Sequence, residues 1–150
     1  MLTLEAAINS ITSKIETDFP TEAWYEEGIP TFDTLHVKAG KLQPYIVVQF
    51  ADIVQGYGRS FAGTRGDDYD FPIRFAVVAD TAENARNGRI AITDKFTGFQ
   101  PDYCAEMMKR GGGGMFTVTS DSGAVVAYVA PVNFRTSLTL YEVPDPIVAP

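Results

Sequence analysis

The chain has 150 residues, 45% of them hydrophobic and 21% charged, and a net charge of −7. That is enough apolar material for one self-sufficient core, and too apolar a composition for a disordered chain. The acidic balance argues against a general affinity for nucleic acid or for an anionic membrane surface, since both favour basic proteins.

Leu4, Ile8, Ile11 and Ile15 recur at helical spacing, with Glu5, Asn9, Thr12 and Glu16 turned away. Thr3 stands where an N-cap is expected, Glu5 suits the positive end of the helix dipole, and Phe19-Pro20 stops the helix. A helix is therefore predicted over residues 3–17. Glu5 falls inside this first apolar stretch and no basic segment precedes it, so the start does not read as a signal peptide.

Residues 21–43 read as irregular or edge-strand sequence broken by Gly28, Pro30, Gly40 and Pro44, with Trp24 and Tyr25 as anchors for an interface or as caps on the core. Tyr45 to Ile53 alternates as a strand, Ile46, Val48 and Phe50 against Tyr45, Val47 and Gln49. Gln55 to Tyr69 is expected to be a long polar loop. Phe71 to Ala79 is a second strand, apolar on much of both faces and therefore central in its sheet.

Asp80-Thr81 opens a second helix carrying Ala82, Ala85, Ile92, Phe96 and Phe99, weakened by Gly88 and ended by Gly98 and Pro101. A short third helical turn is expected within residues 102–109, then a flexible loop at Gly111 to Gly114. Phe116 to Ser120 and Ala124 to Ala130 form a hairpin around Asp121-Ser122-Gly123. Pro131 is expected to turn the chain into a last strand, Asn133 to Tyr141, with Phe134, Thr136, Leu138 and Leu140 inward. Residues 144–150 are proline-rich and expected to be an extended arm beyond a single domain of residues 1–143. The longest apolar runs are too short to cross a bilayer as a helix. The predicted class is α+β: a mixed, mainly antiparallel β-sheet with an N-terminal helix and a mid-chain helix packed against it.

Patterned chemistry is sparse. Asp67-Asp68-Tyr69-Asp70 is the densest acidic cluster, but a calcium loop needs ligands at fixed offsets and a later bidentate glutamate, and a strand follows instead. Solvated loop residues are the expected reading. Arg65-Gly66-Asp67 spells an adhesion tripeptide without the secretory context it would need. His36 is the sole histidine and Cys104 the sole cysteine, and neither has a patterned partner. A lone cysteine also excludes an intrachain disulfide and suits the cytosol or a virion interior. Lys109-Arg110 precedes its glycines, the reverse of a phosphate loop, so a loop that orders against a partner is the better reading. No catalytic, cofactor or metal residue is assigned. Tyr57 and Phe61, like Trp24 and Tyr25, are interface anchors or core caps.

The opening helix Leu4 to Ile15 ending at Phe19-Pro20, the strands Tyr45 to Ile53 and Phe71 to Ala79, the helix start Asp80-Thr81-Ala82-Glu83-Asn84-Ala85, and the final strands Val125 to Val129 and Phe134 to Tyr141 carry a resemblance. In order and size they resemble the tail terminator proteins of long-tailed bacteriophages. The resemblance implies a non-catalytic subunit, assembled in the host cytoplasm into the virion, that forms a ring, expected to be a hexamer. The ring caps the tail tube protein, stops its polymerisation and meets the head-side connector or head-completion protein. It needs no cofactor and no membrane, and its lumen would pass DNA in transient contact. Interface residues are then expected among Tyr57, Arg59, Arg65, Asp67, Asp68, Asp70, Lys109, Arg110, Gly112 and Gly113. The alternatives are another neck, tail-completion or tube subunit, or, in a different class, a small ligand-binding or enzymatic domain with Asp68 or Asp70 near His36.

Overall fold

A computed structural model describes residues 3–27, 37–38, 41–51, 54–55, 68–111, 113–119, 122–123 and 125–139. Helix α1, Thr3–Asp18, is followed by β1 (Ala23–Glu26), β2 (Val37–Lys38), β3 (Lys41–Leu42), β4 (Tyr45–Phe50), β5 (Val54–Gln55) and β6 (Asp68–Ala79). Helix α2, Ala82–Phe96, then leads to β7 (Met108–Lys109), β8 (Phe116–Thr119) and β9 (Val125–Thr139). The main sheet has seven strands in the order β1-β4-β6-β9-β7, with β5 on β6 and β8 on β9; β2 and β3 pair separately. Among the described residues only the β1–β4 pair is parallel. The fold is α+β, as the hydrophobic periodicities predict.

Alternation along the central strands decides where the core lies. Ile46, Val48, Phe71, Ile73, Phe75, Val77, Val132, Phe134 and Leu138 are buried on the face that carries both helices. Phe75, Phe96 and Phe134 meet there, Phe75 and Phe96 with centroids 4.6 Å apart and Phe75 edge-on to Phe134 at 5.7 Å. The α1 stripe centres on Ala7, Ile11 and Ile15, with Leu4 and Ile8 on its flank. Thr3, fully buried, donates its hydroxyl to the Thr139 carbonyl at 2.8 Å and so fastens the helix start to the end of β9.

Helix α2 is capped as its sequence predicts: the Thr81 hydroxyl accepts from the Asn84 amide at 3.1 Å. Gly88 has a packing reason. A Cβ there would lie 2.5 Å from Val77 Cγ1, so the glycine is where the helix comes closest to the sheet. The residues around it divide by helical spacing: Ala85, Ile92 and Phe96 point down, while Asn84, Asn87 and Ala91 face one side and Arg86, Arg89, Ile90 and Thr93 the other.

Three expectations are corrected. Pro131 does not turn the chain: Val125–Thr139 is one strand, whose residues Tyr128–Thr139 are in unbroken antiparallel register with Asp68–Ala79. Asn133 gives both backbone groups to the Arg110–Gly111 segment, so by two-residue alternation the Pro131 nitrogen faces the same outer edge, where no β6 bond is lost. Residues 102–109 form no third helix. Asp102 and Tyr103 form a single turn, closed by Cys104 N–H on Pro101 O at 3.1 Å, and the chain then follows that edge, with Ala105 N–H donating to Ser137 O at 2.8 Å and Thr139 N–H to Tyr103 O at 3.0 Å. Asp68 to Asp70 belong to β6 rather than to a loop, because β9 and β5 extend the ladder to them. The described glycines of the run lie in a loop, as expected, with Gly111 O accepting from Asn133 N–H at 2.7 Å and Gly113 O from Arg89 at 3.4 Å.

Candidate functional site

The proline that β9 absorbs creates the most distinctive surface of the molecule. Pro131 has no N–H to offer at the outer edge, so pairing there divides: β8 covers Val125 to Val129 and β7 covers Phe134 and Arg135. The chain crosses the interval with glycines, of which Gly111 and Gly113 have φ near +73° and +75°, a conformation that favours glycine. Pro131 and Val132 floor the resulting cleft of about 630 Å³, Gly111 and Gly113 rim it, and α2 walls it with Arg86, Arg89, Ile90 and Thr93.

Its electrostatics oppose those of the whole chain. Arg86, Arg89 and Lys109 line the cleft, against Asp94 alone among the acids. Arg110 turns to the other side of the same edge, into a smaller recess of about 300 Å³ beside Arg74 and Arg135. Among the described residues, Arg135 is the only one of these cations with a carboxylate within 4 Å: Asp70, at 3.3 Å and half exposed. The basic band thus wraps the β7 edge from the helix side to the far face. Two large apolar side chains, Ile90 at 59% exposed and Met108 at 53%, sit within it. Cations around exposed apolar groups on a concave surface can hold an acidic partner that also brings an apolar contact.

The residues singled out from the sequence fall in three places. Lys109 and Gly113 line the cleft and Arg110 lies on the reverse of its edge. Asp70 is on β6, tied to Arg135, and Asp68 is placed by its backbone alone. Tyr57, Arg59, Arg65, Asp67 and Gly112, together with Phe61, His36 and the arm 144–150, lie outside the described residues. Trp24 and Tyr25 are half-buried caps on the core, Trp24 over the helix-side cluster and Tyr25 edge-on to Tyr45 at 5.8 Å. Cys104 is buried, which pushes its thiol up to about 12, with the nearby Asp102 charge adding to the effect. A thiol held neutral in this way is a poor nucleophile. Arg86, Arg89, Ile90 and Thr93 were not singled out from the sequence. Their spacing on one side of α2, outside its buried stripe, is the signal that could have found them.

Among the described residues no three His, Cys, Asp or Glu side chains group in a way that could hold a metal ion. No described helix is long and apolar enough to cross a membrane. Compared with known proteins, the sequence matches no family model and no curated protein.

Proposed function

We propose that this chain is a structural subunit of a phage tail, a tail terminator that assembles into a ring, expected to be a hexamer. The ring caps the tail tube, stops its growth and presents a surface to the head-side connector. Its role in the virion is to hold partners, not to catalyse a reaction. The observation that carries this reading is the order of elements on a single sheet: an opening helix, a mainly antiparallel β4-β6 pair running directly into a capped helix, then a closing β8-β9 hairpin. The resemblance rests on the same succession, with its last two strands joined here as the single strand β9.

A second feature supports it. Large apolar side chains are left exposed on the β8–β9 pair: Phe116 on β8 and Val125 and Val126 at the start of β9. Exposed apolar side chains of this size suit a surface that a partner covers.

The test is negative-stain microscopy of the concentrated protein, with its mass measured by light scattering, followed by mixing with purified tail tubes. Rings with a central hole, found at tube ends once tubes are added, are the expected result. Tubes whose ends stay bare and continue to grow would sink the reading.

A further inference from the structure

Two flanks of the sheet, as the described residues define it, carry opposite charge. At the β1 side, the corner from the end of α1 through β1 exposes Glu16, Glu22, Glu26 and Glu27; among the described side chains of α1 and β1 the only cation is Lys14, which is paired with Asp18 at 2.7 Å and lies over the Phe99 ring. At the β7 side stand Arg86, Arg89, Lys109 and Arg110. Strand order places β1 and β7 at opposite ends of the β1-β4-β6-β9-β7 path, four strand spacings or roughly 19 Å apart. Helix α2 lies between, presenting Asn84, Asn87 and Ala91 toward the acidic side and its arginines toward the basic side.

We infer that the basic cleft receives the acidic α1–β1 corner of a second copy of this chain, in a head-to-tail contact. The complementarity lies within one sequence, so each copy offers one flank of each sign and the contact repeats with the same polarity. This is the heterologous interface that closes into rings, not the isologous one of a two-fold dimer. Exposed Ile90 lies amid the cations of the cleft and offers an apolar contact there, whereas Met108 alternates with Lys109 and lies on the Arg110 side of the edge. Glu22 is already partly desolvated, which raises its carboxyl above the usual range and favours a cation beside it. A nucleic acid backbone is the competing occupant. The net charge of −7 and the full acidic corner oppose a long polyanion, whereas they are the partner surface in self-association.

This inference deepens the proposed ring, and its test separates the two. One full-length variant carries R86E, R89E and K109E; a second carries E16K, E22K and E26K. Wild-type protein is expected to self-associate at low salt and to dissociate near 1 M NaCl, where the Debye length falls to about 3 Å. Each variant alone is expected to associate more weakly by a factor on the order of 100. An equimolar mixture of the two should regain the wild-type mass by light scattering, because reversed flanks complement each other. Circular dichroism checks folding, and the neutral versions R86Q, R89Q, K109Q and E16Q, E22Q, E26Q replace any variant that does not fold and must show the same weakening. Association that survives in the variants, or in high salt, or a mixture that stays dissociated, overturns the contact. So does a basic-flank variant that self-associates normally but loses binding to a short DNA duplex, which would make nucleic acid the occupant. Capping of tail tubes by variants with wild-type association would leave the terminator reading standing with a different interface. Charge-dependent association without tube capping would do the reverse.

Discussion

The two faces of the sheet share their strands but not their construction. Toward the helices, β4, β6 and β9 present an apolar surface along their whole shared length, from Ile46 and Val77 at one end to Leu138 at the other. Away from the helices the same strands are apolar only at one end, where Tyr45, Val47, Val78, Ala127 and Val129 are buried. At the other end Arg74, Asn133 and Arg135 stand beside one another, and the face becomes polar. One face is a continuous core and the other is half core, half surface. The first should therefore dominate stability, and the second should tolerate change at its polar end.

The largest test of that difference is truncation at the aromatic junction. Phe96→Ala removes the ring that contacts Phe75, Phe99 and Phe134 and should cost about 3–5 kcal/mol in urea unfolding. Val78→Ala, on the far face, should cost clearly less, about 1–3 kcal/mol. Equal losses would mean the far face is as much a core as the near one.

Each face also buries one weak acid. Cys104 lies in the helix-side cluster, and Tyr45 in the far one, where burial and the neighbouring Tyr25 push its hydroxyl up to about 12. Both folded values stand above the unfolded ones, so both groups contribute stability that is fully present below about pH 9. That stability is lost as the pH rises toward 12, by an amount on the order of 2 kcal/mol per group. Cys104→Ala and Tyr45→Phe should each flatten the alkaline limb of a stability-versus-pH curve. An unchanged slope would show that the group already meets solvent in the folded state.

Closest approach between layers offers a sharper probe. Gly88→Ala should gain up to about 1 kcal/mol of helix propensity yet lose more to overpacking against Val77, a net cost of roughly 1–2 kcal/mol. Pairing it with Val77→Ala should reverse the sign of the Gly88 effect. Additive losses would refute the contact.

How far these features could be read in advance depends on the range of the interactions that set them. Alternation in β4, β6 and β9 and the Thr81 cap are local, and residue order alone reveals them. Pro131 misled because its cost depends on which edge its nitrogen faces, and that is set by Asn133 bonding to Gly111. Residues 102–109 have turn-like composition, but Tyr103, Ala105 and the Met108–Lys109 pair are claimed by β9, 25–36 residues on, and Met107 by Gly98 and Phe99 just past α2. The basic cleft was legible only in halves. Lys109 and Gly113 drew notice as a charge beside glycines, whereas Arg86 and Arg89 were ordinary exposed helix residues until the β9 edge brought them together.

The smallest expected effect lies at the polar end of the far face. Asp70 and Arg135 meet at 3.3 Å with both side chains half exposed, and an exposed pair of this kind contributes about 0–1 kcal/mol because side-chain entropy and solvent offset the attraction. Asp70→Asn should therefore barely move the unfolding midpoint. It would, however, release Arg135 beside Arg74 and Arg110 and make the band around the β7 edge more basic. If that band is a docking flank, D70N should strengthen low-salt self-association while leaving stability unchanged. A loss of stability beyond 1 kcal/mol would instead place Asp70 within the fold's structural core, and the polar end of the face would no longer count as surface.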